Sequence, residues 1–195
     1  MELFKAESFD IPTLVGISEK NIEEHIKLYQ GYVKHANLIL EKIEEYSADS
    51  EKNAYVLAEL QRRFAFEHDG IRNHETFFKQ FVGGPKELSS GPLKKKIEKD
   101  FGSFETFLAR IKAVALTRGV GWLMVYHCSD VDHILTQWVD EQHIGHLNGP
   151  KCILALDMWE HAFVYDYPTS EKKKYVDVFF ENLNWDVIEK RFLRM

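Results

Sequence analysis

The chain is predicted to be an α+β protein: an N-terminal helical hairpin followed by shorter helices around a small sheet. Three observations carry this. Two long stretches with helical spacing fill the first 80 or so residues. Three short runs rich in β-branched, aromatic and aliphatic residues, separated by Asp and Gly turns, come only in the second half. The order of helices first, then helices around a short sheet, disfavours a doubly wound fold.

In chain order, Ser18 can cap a helix running to about Ser47, with Ile22, Ile26, Tyr29, Val33, Ala36 and Leu40 at recurring apolar positions. The Ser47-Ala-Asp-Ser50 cluster breaks it. A second helix is predicted from about Glu51 to Phe81, carrying Leu57, Leu60, Phe64, Ile71, Phe77 and Phe78. The turn-rich stretch from Val82 to Pro92 marks the boundary between two halves, 1–83 and 92–195. Beyond it, Leu93 to about Phe101 and Ser103 to about Thr117 read as shorter helices, the latter entered through Ser103-Phe-Glu-Thr and closed near Gly119. Trp122–His127, His133–Trp138 and Cys152–Leu156 read as strands, and helix returns from Met158 onward, with Tyr175, Val176, Phe179, Phe180 and Leu183 as a buried stripe.

Composition narrows the function. The 195 residues are 45% hydrophobic with a formal net charge of −6, and no apolar run approaches the roughly 18 residues that span a bilayer. The expectation is a globular protein with no membrane segment and, lacking a secretory signal at the N-terminus, a cytoplasmic address. The negative balance disfavours nucleic acid as a partner. Lys94-Lys95-Lys96 and Lys172-Lys173-Lys174 read as solvated helix faces, and Cys128 and Cys152, in no C-x-x-C pair, as small buried apolar residues. No G-x-S-x-G elbow, phosphate loop or dinucleotide fingerprint is present.

Nine histidines remain. A lone helical histidine is most often structural, but Asp157-Met-Trp-Glu-His161 sets a carboxylate and an imidazole four residues apart, about one turn (roughly 6 Å) on a helix and about 13 Å on a strand. His25, with Tyr29 and Tyr32 on its face, and His74, beside Phe77 and Phe78, can approach the same point from two antiparallel helices. Together they make a site of three histidines and one carboxylate. The chain has no Glu-x-x-His, against a di-iron bundle, and no H-E-x-x-H, against a zinc hydrolase.

These residues resemble a known family. Asp157-Met-Trp-Glu-His-Ala-Phe163 is similar to the D-x-W-E-H-A signature of the iron/manganese superoxide dismutases, supported by Asn73-His74 with Phe77-Phe78, Phe101-Gly-Ser-Phe-Glu-Thr-Phe107, Gly119-Val-Gly-Trp122, and Asn184-Trp185 with Arg191. The resemblance covers nearly the whole chain. It implies an N-terminal long helical hairpin joined to a C-terminal α/β domain with a small antiparallel three-stranded sheet, and one Mn or Fe ion per subunit, held between the two halves by His25, His74, Asp157 and His161, with superoxide as substrate. Imidazole and carboxylate donors suit either ion in both oxidation states.

The resemblance also implies a glutamine or histidine that bonds the metal's solvent ligand. Gly70, at the earlier of the family's two places for it, cannot serve. His143 aligns with the later place; Gln142 is its neighbour and His146 a second candidate. Tyr32-Val33 matches the family's channel tyrosine, one residue closer to the first ligand than usual, so Tyr29 could share the role. Trp122 and Trp159 match aromatic walls of the pocket. Glu160 matches the glutamate that reaches across a two-fold interface, implying a homodimer or tetramer. Val164 and Tyr29 replace the usual cross-subunit tyrosine and histidine, so that pair is expected to be rebuilt or lost. Lys27, Lys34, Arg72 and Lys172 are candidates for drawing in the anion. The alternatives are a metalloprotein of this fold with altered redox chemistry, as Val164 and Met124 allow, and a metal-free structural protein.

Overall fold

A computed structural model describes residues 2–194. Helix α1 (Glu19–Ser47) starts at Ser18, whose hydroxyl accepts the Asn21 amide, and its buried stripe is Asn21, His25, Tyr29, Val33, Ala36 and Ile39. That spacing follows the helical period, yet two polar residues lie at its centre, with Ile22 and Ile26 on the flank. Antiparallel to it runs α2 (Ala54–Lys79), three residues later in starting than the sequence suggests. Only the second half of α2 is deeply buried, from Glu67 to Phe78. It is this half that meets the C-terminal region.

Next come α3 (Pro92–Phe101) and α4 (Phe104–Ala115). Gly102 at φ 85° ends the first, and the Ser103 hydroxyl caps the second by accepting the Thr106 amide at 3.0 Å. The sheet is antiparallel, of β1 (Gly121–Cys128), β2 (His133–Asp140) and β3 (Lys151–Asp157), in the order β2-β1-β3. Helices α5 (Lys172–Glu181) and α6 (Trp185–Leu193) complete the fold. Among the described residues no helix is long and apolar enough to cross a membrane.

Helix does not resume at Met158. The segment after β3 is a 3₁₀ turn at Glu160–Ala162, a second at Thr169–Glu171, and only then α5. Pro168 interrupts the stretch, and the Asp157 carboxylate already accepts the Trp159 amide at 2.8 Å, a local bond that competes with a helical start. Lys96 is also not solvated: it is buried, paired with Asp100 at 2.9 Å and Asp132 at 3.1 Å. Both cysteines are free and half-buried.

Two side chains fasten the hairpin to the sheet. Strand β3 has a free edge, and there the Gln80 carboxamide bonds both polar groups of the Ala155 backbone, donating to its carbonyl at 2.8 Å and accepting its amide at 2.9 Å. Arg191 of α6 donates to the carbonyls of Thr76 at 2.8 Å and Ile153 at 3.1 Å. The residues before α1 form a strap: Phe4 exchanges two bonds with Asn37, and Val15 exchanges two with Asn182.

Candidate metal centre

The register of the sheet builds the floor of the site. Trp122 pairs with Asp157, and directly opposed residues of an antiparallel pair project to the same face. The Tyr175 hydroxyl donates to the Asp157 carbonyl at 3.0 Å, and the Met158 amide donates to Gly121 at 2.9 Å. The strand end is therefore fixed before the chain turns. The Trp159 amide occupies Oδ1 of Asp157, which leaves Oδ2 to face the histidines.

Around Oδ2 stand Nε2 of His161 at 3.1 Å, of His25 at 3.2 Å and of His74 at 3.5 Å. One donor atom from each of the four residues lies within 4.8 Å of the others. His25 comes from α1, His74 from α2, and Asp157 and His161 from the end of β3 and the 3₁₀ turn. Asp157 and His161 meet because the chain folds back after the strand, so the four-residue spacing works without a continuous helix.

Proton positions follow from the partners. His74 Nδ1 lies 2.6 Å from the Gly70 carbonyl, which can only accept, so Nδ1 carries the hydrogen. Nε2 of the neutral ring is then a bare lone pair, buried, with no hydrogen-bond partner and a carboxylate oxygen in front of it. Burial, reinforced by the neighbouring His25, drives the His74 pKa down to about 3, and burial lowers His25 as well. Burial alone would raise the Asp157 carboxyl, but His161 and His25 outweigh it and hold the group below the usual carboxylate range. The bare lone pair of His74 and the ionised Asp157 carboxylate, 3.5 Å apart, repel unless a cation lies between them. The donor set fits a metal ion.

The walls are aromatic. Phe77 and Phe78 lie 5.0 and 4.9 Å from the His25 ring, and Trp122 meets His74 edge-on at 5.0 Å. Trp159 stacks on His161 at 5.7 Å. Tyr32 is 5.1 Å from His74, and its hydroxyl accepts the Gln142 side-chain amide at 3.0 Å. The Gln142 oxygen in turn accepts the Trp122 indole N–H at 3.0 Å.

Gln142, and not His143, therefore holds the place beside the site. Glu141 sits at φ 51°, in the left-handed region, and this twist at the end of β2 turns residue 142 inward. His143 faces Phe66 instead, at 5.6 Å. His146 does not reach the donors: its Nε2 meets the Gln142 backbone carbonyl at 3.0 Å. Gln142 stood beside the expected residue, but a one-residue register in an irregular turn leaves no periodic signal.

Tyr29 takes no part in the bonds that join Tyr32, Gln142 and Trp122. Its buried hydroxyl accepts the Glu7 amide at 2.9 Å and donates to Glu75 at 3.2 Å, and burial pushes its pKa up to about 12. Glu160 is exposed, next to Val164 and Tyr165, which are 51% and 59% exposed. Of the basic candidates, Lys27 pairs with Glu24 and Arg72 with Glu75, while Lys172 leans on the Gly119 carbonyl at 3.3 Å and Lys34 is exposed.

Residues 89–191 match the model of the iron/manganese superoxide dismutase C-terminal domain. The chain belongs to the iron/manganese superoxide dismutase family. It is 34% identical to a protein named superoxide dismutase [Fe] from Aquifex aeolicus, over 92% of this chain and 85% of that protein. A superoxide dismutase [Fe] from Methanothermobacter thermautotrophicus is also 34% identical, over 86% and 82%. A superoxide dismutase [Mn] from Mycolicibacterium smegmatis is 33% identical, over 86% and 80%. The two-part architecture described above is that of the family, and the His/Asp cluster lies where its two parts meet.

Proposed function

We propose that this superoxide dismutase works through one iron or manganese ion held by His25, His74, Asp157 and His161, at the junction of the halves 1–83 and 92–195. The observation that carries the assignment of ligands is the convergence of their four donor atoms within 4.8 Å, with Nε2 of His74 buried and unpartnered. In the overall reaction two superoxide anions and two protons give one dioxygen and one hydrogen peroxide. One anion loses an electron and the other gains it. The ion, when bound, supplies a carrier that takes up that electron and returns it.

The remaining work belongs to the chain. Phe77, Phe78 and Trp122 keep water from the donors, which strengthens the fields felt by a small anion. Tyr32 is the proton donor facing the pocket. Its oxygen already accepts from Gln142, so its own hydrogen is free to point at an incoming anion. Burial, with the negative charges of Asp157 and Glu67, raises the phenol's pKa, so the hydrogen stays in place through the neutral range. Gln142 holds that phenol in position against Trp122.

A homodimer fits the exposed Glu160, Val164 and Tyr165 beside His161, an acid next to two uncovered hydrophobic side chains. The usual cross-subunit pair has no counterpart here, because Tyr29 spends its hydroxyl within the chain. Two free cysteines fit a reducing, cytoplasmic setting.

Metal analysis, combined with superoxide consumption by iron-loaded and manganese-loaded protein, tests the assignment. Stoichiometric metal with fast turnover is expected for at least one ion. Absence of bound metal, or tight metal without turnover, would overturn it. Sedimentation of Glu160→Arg tests the dimer.

A further inference from the structure

We propose that His146, anchored by Tyr126, is a positioning residue: it clamps the Gln142 backbone so that the Gln142 side chain stays between Trp122 and Tyr32. The proposal rests on the dismutase function above. Gln142 lies in an irregular turn, with Glu141 at φ 51° and Gly145 at φ 99°, and the Asp140–Ile144 bridge is the backbone's own tie across it. That bridge fixes the two ends of the loop. Beside it, the Glu141 amide donates to the Val120 carbonyl at 3.1 Å and the Glu141 carbonyl accepts the Trp159 indole N–H at 3.2 Å, but neither holds the Gln142 carbonyl.

Two donors do. The Gln142 carbonyl accepts the Asn73 side-chain amide at 2.9 Å and faces His146 Nε2 at 3.0 Å. A carbonyl only accepts, so His146 Nε2 carries the hydrogen, and Nδ1 of the neutral ring is an acceptor. The Tyr126 hydroxyl lies 2.6 Å from that Nδ1 and donates to it. Tyr126 is on β1, the central strand, which also carries Trp122. The chain of contacts thus starts and ends on one rigid strand: Tyr126 to His146 to the Gln142 carbonyl, and Trp122 to the Gln142 carboxamide. A backbone held at the carbonyl by two elements, α2 through Asn73 and β1 through His146, leaves the side chain little freedom beyond its rotamer.

The test compares His146→Leu, His146→Gln and Tyr126→Phe in the full-length protein. In His146→Leu the side-chain amide resonances of Gln142 in the metal-free protein are expected to move toward free-amide positions, and kcat of the metal-loaded enzyme to fall by about tenfold. His146→Gln keeps a donor of similar reach, and should restore both. Unchanged Gln142 resonances and kcat in a folded His146→Leu would overturn the proposal, as would failure of His146→Gln to recover either. Should His146→Leu not fold, Tyr126→Phe decides. Freed of its anchor, the imidazole should let the Gln142 amide signals broaden or split, and a single native-position signal would overturn the clamp. If the loaded wild type consumes no superoxide, the dismutase function fails, while the amide resonances still report on the clamp.

Discussion

Replacing Gly70 by Ala should damage turnover by displacing a side chain on the neighbouring helix. A Cβ at Gly70 would lie 2.5, 2.8 and 2.9 Å from three ring carbons of Tyr32. Carbon atoms pack comfortably at about 3.5–4.0 Å, so the ring must retreat by about 1 Å. The Gln142–Tyr32 bond is 3.0 Å long, close to the outer limit of about 3.2 Å for good N–H···O geometry, so a retreat of that size breaks it. Alanine in a helix interior gains about 1 kcal/mol over glycine. Overpacking costs about 1–3 kcal/mol, and the lost bond contributes about 1 kcal/mol more. The net is a loss of about 1–3 kcal/mol, a drop in Tm of about 2–12 °C for a chain of this size. Calorimetry of the metal-free protein reads the first effect. Pulse radiolysis of the loaded enzyme reads the second, a fall in kcat of about tenfold. A Gly70→Ala protein with raised Tm and native kcat would show that Tyr32 does not rest on Gly70.

Gln80→Leu leaves the amide and carbonyl of Ala155 unpaired and buried, and should cost about 2–5 kcal/mol by urea denaturation; a loss below about 1 kcal/mol would mean that water replaces the carboxamide. Removing the metal by chelation should lower Tm by about 8–16 °C at a free-ion concentration about a thousandfold above Kd, since the ion then contributes about 4 kcal/mol. Equal Tm with and without metal would refute a site formed by His25, His74, Asp157 and His161. The metal-free protein should also lose stability in acid. Burial lowers the pKa of His25 and holds that of His74 at about 3, against about 6.5 in the unfolded chain, so between those limits the unfolded state binds more protons and stability falls with falling pH. A urea midpoint that stays flat from about pH 6.5 to 4 would show that these histidines titrate as if exposed.

Local chemistry was readable wherever one residue type has one use. Ser18 and Ser103 cap the helices they were expected to cap, and the hairpin and three strands follow from periodicity. Geometry set by irregular backbone was not. Asp157 and His161 meet through a strand end and a 3₁₀ turn where sequence spacing suggested a helix. Gln142 displaced His143 because Glu141 is left-handed, a conformation that no pattern of apolar residues encodes. Lys96 stands in a run of lysines, the pattern of a solvated face; one of its two partners, Asp132, is 36 residues away and arrives only when the β1–β2 hairpin forms. The strap of residues 2–17 has no period at all, and Asn37 on α1 and Asn182 just past the end of α5, which hold it, look like any other polar residues.

The departures from the ordinary helical pattern point to where the chemistry lies. Helix α1 puts Asn21 and His25 at the centre of its buried stripe, where aliphatic side chains would pack better. In its buried half α2 carries Gly70, Asn73, His74 and Glu75, a glycine and three polar residues where a stable helix would place leucines. Each lapse is local and costs stability. They cluster on the two facing stretches that meet the end of β3, and Gly70 serves Tyr32 while Asn73 serves Gln142 and His74 faces Asp157. A core selected for packing alone would have no reason to concentrate its faults at one point. A centre that must hold an ion, a phenol and a carboxamide in fixed relation requires that concentration, and the aromatic shell of Phe77, Phe78 and Trp122 supplies the burial that offsets it.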